Sequence, residues 1–172
     1  MMQVGYNNES FDYPVIHYFL ENYNIFRNKN GHDISSMLYA KAQEIINSTE
    51  WTTILDKNKI IKQLDLYLIW HYNNPARRTS LKDLEFSMQM ENIEEMPFSH
   101  TKYCVKEDIP LILDYNKNDV LTTKKFLDIT LGNTDYSIYK DKNKIQLRLD
   151  LKRDYNLECL NLLYYEQKQT SY

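Results

Sequence analysis

Apolar residues recur at helical spacing along most of the chain, and short β-rich runs separate these helical patterns. The apolar run at residues 4–6 indicates the end of a buried strand, which leads into a polar turn at residues 7–8. Residues 12–23 then carry a helical pattern. A polar loop is expected at residues 22–31, and a second helix is expected to start after Asp33.

The middle of the chain changes from a β-rich pattern to a helical one. Residues 60–70 are rich in β-forming side chains, and we expect a buried strand at least over residues 64–69. Thr79 or Ser80 is expected to cap a helix that continues to about Met90.

The longest helical pattern covers residues 107–131, with apolar positions on one face. Pro110 lies near its beginning, where proline is tolerated, and Gly132 is a suitable C-terminal cap. The run at residues 145–149 fits the helical and the strand period equally, so both remain open there. The fold class predicted is mixed α/β with helices dominant.

Composition narrows the classes of function. The chain has 172 residues, enough for one domain with a sizeable core, and its net charge of −3 argues against a protein that coats nucleic acid through a global basic field. Cys104 and Cys159 lack metal-ligand spacing, which favours a reduced, cytoplasmic chain. The scattered histidines argue against a zinc site. The strongest apolar stretch contains Asp65 and is too short to span a membrane.

Two short acidic motifs carry the candidate chemistry. The first is Asn8-Glu9-Ser10-Phe11-Asp12, at the expected start of a helix, and the second is Tyr115-Asn116-Lys117-Asn118-Asp119, inside the long helical pattern. Tyr115 and Asp119 are expected on one face, one helical turn apart. For each motif alone, a surface carboxylate or a helix cap is the simpler interpretation. Their order and surroundings give them more weight.

Between the two motifs lie Gln63-Leu64-Asp65-Leu66 and Ser80-Leu81-Lys82-Asp83-Leu84-Glu85, and Asp119 is followed by Val-x-x-Thr. In this order the segments resemble the proofreading 3′–5′ exonuclease domain of phage DNA polymerases, of the tyrosine (DEDDy) type, over residues 4 to about 161. The histidine subtype is disfavoured, because no His-x-x-x-x-Asp occurs in the chain. The resemblance implies a ribonuclease H-like exonuclease fold and, for a phage-encoded protein, the host cytoplasm.

The resemblance also implies a site and its ligands. Asp12 and Asp119 would be metal ligands, and Tyr115 would orient the attacking water; all three are the expected catalytic residues. The cofactors would be two Mg²⁺ or Mn²⁺ ions, which prefer carboxylate oxygens. The substrate would be the 3′ end of single-stranded DNA. Residues 1–132 would form the exonuclease-like domain, and residues 133–172 an extension towards a missing polymerase region.

One part of the family pattern is missing. In the family, an Asp-x-Glu motif lies on an opening strand, ahead of the motif that corresponds to the one with Asp12 here. None of the eleven residues before Asp12 is an aspartate. The expected fold therefore lacks the first strands of the sheet. The Asp83-Leu84-Glu85 sequence lies downstream, and we expect it on a solvated helix face rather than as a substitute pair of ligands. We therefore expect the chain to be inactive alone, unless the remaining part of a split polymerase supplies this motif.

Weaker candidates for nucleic-acid contacts are Asn8 and Phe11 in the first of these two motifs, Arg77 and Arg78 in a polar loop, and Lys124 beyond Asp119. An ordinary solvated role is the simpler interpretation for the arginines and for Lys124. Asp65 could approach the site, although a hydrogen-bonded core aspartate explains it equally well.

Two alternative functions remain open. One is a catalytically inactive module that binds nucleic acid or a polymerase. The other is an unrelated helical protein in which the two motifs are accidental.

Overall fold

The structure is a computed structural model that describes residues 1–50, 52–71, 79–91, 93, 98 and 104–156. Helices hold 61% of the described residues, so they dominate a fold that has one two-stranded parallel sheet within the described residues. The chain divides into two compact units, Met1–Leu68 and Ile69–Tyr172. The expected domain boundary at residue 132 lies inside the second unit and stays a prediction.

The sheet pairs strand β1 (Met2–Gly5) with strand β2 (Lys62–Asp65) in parallel, with Val4 opposite Leu64. A parallel pair requires a long crossover between its strands, and three helices fill this connection. The expected strand at residues 4–6 is thus confirmed in place. The expected strand at 64–69 is wrong beyond Asp65, because helix α4 (Leu66–His71) begins there.

The carboxylate of Asp65 explains this change from strand to helix. Asp65 Oδ1 accepts a hydrogen bond from the backbone N–H of Tyr67 at 2.9 Å, which is the arrangement of a helix N-cap. The following apolar run can be buried on a helix as well as on a strand. A short buried helix therefore replaces the second half of the expected strand.

The crossover contains helices α1 (Asp12–Glu21), α2 (Tyr23–Phe26) and α3 (Gly31–Asn47). The expected polar loop at residues 22–31 is wrong over α2, which buries Phe26. Helix α3 begins before Asp33, because the side chain of Asn30 accepts the Asp33 N–H at 2.9 Å and caps the helix.

The second unit begins within α4 and contains helices α5 (Leu81–Ser87), α6 (Ile109–Thr130) and α7 (Lys144–Tyr155). Ser80 caps α5 as expected, although the helix ends before Met90. A short 3₁₀ turn, Lys106–Asp108, precedes α6. Asn143 caps α7, so the open question at residues 145–149 resolves to helix.

Gly132 ends α6 in the left-handed region, with φ of 81°. Its N–H donates to Ile129 O at 3.0 Å, and the Asn133 N–H donates to Asp128 O at 2.8 Å. These bonds satisfy carbonyls that the last turn leaves open, as expected for a glycine cap.

Buried apolar side chains form a core in each unit. In the first unit these are Tyr13, Phe26, Ile45, Leu64, Leu66 and Leu68. In the second unit they are Ile69, Leu84, Met88, Phe126 and Ile129. None of the described helices combines the length and the apolar content that a bilayer span requires.

Candidate functional site

Tyr115 and Asp119 lie one turn apart on α6, near enough for the Asp119 charge to act on the Tyr115 hydroxyl. Loss of hydration is the main effect that raises the pKa of Tyr115 above its ordinary value, and the Asp119 charge raises it further. The hydroxyl therefore keeps its proton at neutral pH. The structure thus brings these two candidate residues together on one helix face.

The ammonium group of Lys82, on α5, lies beside this pair. Lys82 Nζ is 4.0 Å from Asp119 Oδ1 and 4.8 Å from the centre of the Tyr115 ring. Both distances are within the range of electrostatic attraction between a cation and its partners. The Lys82 and Asp119 side chains are 30% and 27% exposed, so the three groups meet at a partly solvated surface.

The buried carboxylate of Glu85 binds the ammonium group of Lys82. Glu85 is fully buried, and its Oε2 accepts a hydrogen bond from Lys82 Nζ at 3.0 Å. Its Oε1 accepts one from Asn118 Nδ2 at 2.9 Å and another from Thr122 Oγ1 at 3.0 Å. Both carboxylate oxygens are thus hydrogen-bonded, which a buried charge requires.

These contacts correct two predictions, one about α5 and one about α6. The solvated helix face expected for Asp83 and Glu85 is right for the exposed Asp83 but wrong for Glu85. The apolar face expected on the first half of α6 is also wrong, since Leu113 and Val120 are more than half exposed. Packing against α5 instead buries Asn118 and Thr122.

Asp12 lies in the first unit, as the exposed first residue of α1. Nearby protein removes part of the hydration of its carboxyl group, and this desolvation raises the pKa of Asp12 above its ordinary value. A carboxylate at a helix N-terminus is favoured by the helix dipole. Because Asp12 and Asp119 belong to different units, their meeting at one site stays a prediction.

Asp65 orders the loop that leads to Asp12. Its Oδ1 accepts the N–H of Asn7 at 2.8 Å and its Oδ2 accepts the N–H of Glu9 at 3.1 Å. Burial is the main cause that raises the pKa of Asp65, although these N–H donors lower it in part. Asp65 is therefore a hydrogen-bonded core aspartate, one of the two roles that its sequence left open.

The weaker nucleic-acid candidates fall in different places. Asn8 is only 2% exposed, and its amide donates to Gln63 Oε1 at 2.7 Å, so it serves the interior of the first unit. Phe11 is half-buried before α1. Lys124 is exposed and pairs with Asp128 at 3.1 Å. Arg77 and Arg78 lie outside the described residues, as do His100 and Cys159.

The described residues do not by themselves supply a complete two-metal site. Within the ranges that the structure covers, no three His, Cys, Asp or Glu groups converge as they would around one cation. In the second unit, both oxygens of Glu85 are bound to Lys82, Asn118 and Thr122. The donor set present therefore does not fit two Mg²⁺ or Mn²⁺ ions, which require several carboxylate oxygens.

A comparison of the chain with models of known protein families, with curated proteins and with solved structures finds no match. The role of the residues around Tyr115 is therefore inferred from their geometry and chemistry.

Sequence reasoning missed the roles of Lys82 and Glu85, although the sequence contains a signal for Glu85. Leu81, Leu84 and Met88 mark the inward face of α5, and Glu85 occupies the remaining position of the same i, i+3, i+4, i+7 stripe. A carboxylate at that position has to find partners on the facing helix. The sequence does not show that these partners are Asn118 and Thr122.

Proposed function

We propose that the chain is part of a 3′–5′ exonuclease domain of a phage-type DNA polymerase, with a ribonuclease H-like fold. In this proposal the domain removes nucleotides from the 3′ end of single-stranded DNA. The placement of Tyr115 and Asp119 on one face of α6, one turn apart, is the observation that carries the proposal. The order of the surrounding motifs agrees with it.

The proposed roles follow the chemistry of the side chains. Tyr115 keeps its proton and orients a water molecule at the scissile phosphate, while Asp119 fixes the direction of the tyrosine hydroxyl. Asp12 is the proposed second acidic member. The Asp-x-Glu pair would come from another segment or from the remaining part of a split polymerase.

The test is degradation of single-stranded DNA labelled at its 5′ end, in Mg²⁺ or Mn²⁺. The chain is assayed alone and as an extended form that includes any strand with Asp-x-Glu encoded directly upstream. We expect stepwise shortening from the 3′ end by the extended form, its loss in Asp119→Ala, and a large reduction in Tyr115→Phe. Degradation that survives Asp119→Ala would refute the proposed site.

A second candidate is a non-catalytic module that binds single-stranded DNA or a polymerase. The position of Lys82, 4.0 Å from Asp119, favours it, because the ammonium group partly neutralises a carboxylate that would otherwise attract a cation. Fluorescence anisotropy with labelled single-stranded DNA distinguishes the two candidates. Binding without shortening, also in the extended form, would support the module and not the nuclease.

A further inference from the structure

Glu85 uses its two oxygens for different tasks. Oε1 accepts bonds from Asn118 and Thr122 and so fastens α5 to α6, while Oε2 accepts the bond from Lys82 Nζ. Since Glu85 is fully buried, its carboxylate cannot exchange these partners for bulk water. The ammonium group of Lys82 is therefore held at a defined place relative to α6.

At that place, one cation contacts both members of the proposed catalytic pair. Lys82 Nζ lies over the ring of Tyr115 and beside the carboxylate of Asp119. A lysine over an aromatic face within about 6 Å is attracted by the ring electrons. Lys82 thus opposes movement of the Tyr115 ring and draws the Asp119 carboxylate towards the same side.

We propose that Lys82, anchored by Glu85, is a positioning residue that holds the Tyr115 hydroxyl and the Asp119 carboxylate in their mutual orientation. The contacts among these four residues carry the proposal. The expected effect of Lys82 on DNA hydrolysis rests on the proposed function. The expected effect of Lys82 on the Tyr115 ring does not.

The ring of Tyr115 makes this role measurable. Lys82 Nζ lies over the ring, 4.8 Å from its centre, and beside the Asp119 carboxylate. Loss of the ammonium group removes the cation from both contacts. The environment of the Tyr115 ring should then change at neutral pH.

The experiment uses the full chain with ¹³C at the tyrosine Cζ, followed by NMR at neutral pH. Tyr115→Phe assigns the Tyr115 signal. Lys82→Gln removes the charge but keeps an amide that can donate to Glu85, and we expect it to shift the Tyr115 resonance. Lys82→Arg should return the resonance towards that of the unchanged chain. An unchanged Tyr115 resonance in Lys82→Gln would overturn the proposal.

Lys41 offers a matched control within the chain. It pairs with Glu44 three residues later, as Lys82 pairs with Glu85, and its Nζ lies 5.7 Å from the centre of the Tyr18 ring. Lys41→Gln removes the same charge from a similar pair in the first unit. It should leave the Tyr115 resonance where it is, and an equal shift would show an effect of net charge alone.

A second measurement does not depend on the folding of any Lys82 variant. In the unchanged chain, the ring of Tyr115 should shift the Lys82 Hε resonances upfield. Tyr115→Leu removes the ring, so these resonances should move downfield by comparison. Their staying in place would also contradict the proposed contact.

The catalytic consequence is measured on a form that shows DNA hydrolysis. Misplacement of catalytic groups by about 1 Å can cost roughly 100-fold in rate. We therefore expect Lys82→Gln to lower kcat by up to that amount with little change in KM, and Lys82→Arg to recover most of the loss. A raised KM with unchanged kcat would assign Lys82 to substrate binding instead. If no form hydrolyses DNA, the proposed function fails, and the Tyr115 and Lys82 resonances still decide the role of Lys82.

Discussion

Glu85 is the residue on which the packing of α5 against α6 depends most directly. Glu85→Ala removes the carboxylate to which Lys82 donates, although Asp119 remains 4.0 Å from Lys82, and it leaves the buried donors of Asn118 and Thr122 without an acceptor. A buried donor left without an acceptor typically costs about 1–3 kcal/mol. We expect a loss of this order in the free energy of unfolding, measured with urea.

Glu44→Ala provides the control for Glu85→Ala. Glu44 also accepts a hydrogen bond from a lysine three residues earlier, but its side chain is 67% exposed. Exposed pairs contribute about 0–1 kcal/mol, so this change should cost far less. Equal losses in the two variants would show that burial of Glu85 does not matter.

Gly5 is required because the side chain of Asn8 folds back over it. A Cβ at Gly5 would lie 2.6 Å from Asn8 Cβ, which is too close for any pair of carbon atoms. Gly5→Ala therefore forces the turn after β1 to move, and overpacking of this kind costs about 1–3 kcal/mol. Urea unfolding measures the loss. Gly31→Ala is the matched control, because a Cβ there meets nothing within 4 Å and should not destabilise the chain.

At the residue scale, the sequence predicts which side chains carry chemistry better than it predicts their partners. The spacing of Tyr115 and Asp119 is sufficient to place them together, since both lie on one helix. The burial of Glu85 depends on a second helix that is distant in the chain. Local spacing contains no information about that contact.

At the element scale, helix α5 depends on the cap at its first turn. The Ser80 side chain accepts the Asp83 N–H at 3.1 Å, and the Asp83 carboxylate accepts the Ser80 N–H at 2.9 Å. Ser80→Ala removes the first of these bonds, and loss of such a cap costs about 0.5–2 kcal/mol. Ser87→Ala, at the other end of α5, removes a hydroxyl bonded to the Asp83 carbonyl and should have little effect on urea unfolding.

The stability that the Ser80–Asp83 cap contributes should depend on pH. The N–H and hydroxyl of Ser80 hold the pKa of Asp83 below its ordinary value of 3.8. The contribution of the cap is therefore present above that pH and is lost as the pH falls through the lowered pKa. Ser80→Ala and the unchanged chain should consequently approach each other in stability at low pH. A difference that stays constant down to about pH 2 would contradict this linkage.

Element boundaries were predictable where a local residue sets them. Ser80 and Gly132 were placed correctly, because a cap is a short-range interaction. The end of β2 was not predicted correctly, because the apolar run around Asp65 fits a strand and a helix equally. The side chain of Asp65, which caps α4, decides in favour of the helix. The beginning of α3 was missed for a similar reason, because Asn30 was not identified as its cap.

At the scale of the whole molecule, the sequence predicted a helix-dominated α/β fold, and the structure confirms this. Of the strands predicted to be buried, β2 is largely buried, whereas β1 is only partly so. The ribonuclease H-like arrangement remains a proposal. The division at Leu68 and Ile69 was not predicted, since it falls inside a continuous apolar run without a linker composition. Contacts between distant segments decide such a division, and local patterns do not encode them.

The pH dependence of stability tests the buried charges of the first unit together. Burial raises the pKa of Glu9 above its ordinary value of 4.5, despite the opposing ion pair with Lys59, and it raises the pKa of Asp65 above 3.8. A raised pKa means that the folded chain binds these protons more tightly than the unfolded chain does. Their contribution to stability is therefore fully present below the ordinary pKa and is lost as the pH rises through the raised one.

We expect the free energy of unfolding to fall as the pH rises above the ordinary values of these groups, 3.8 and 4.5, and urea unfolding at a series of pH values measures this decline. Glu9→Gln removes one of the two protonation sites and should flatten the decline, while Lys59 keeps Asp56 as a partner at 2.6 Å. Glu44→Gln removes the same charge from an exposed position, so it reveals any effect of net charge alone. A decline that is as steep in Glu9→Gln as in Glu44→Gln would show that the buried carboxyl of Glu9 does not contribute to it.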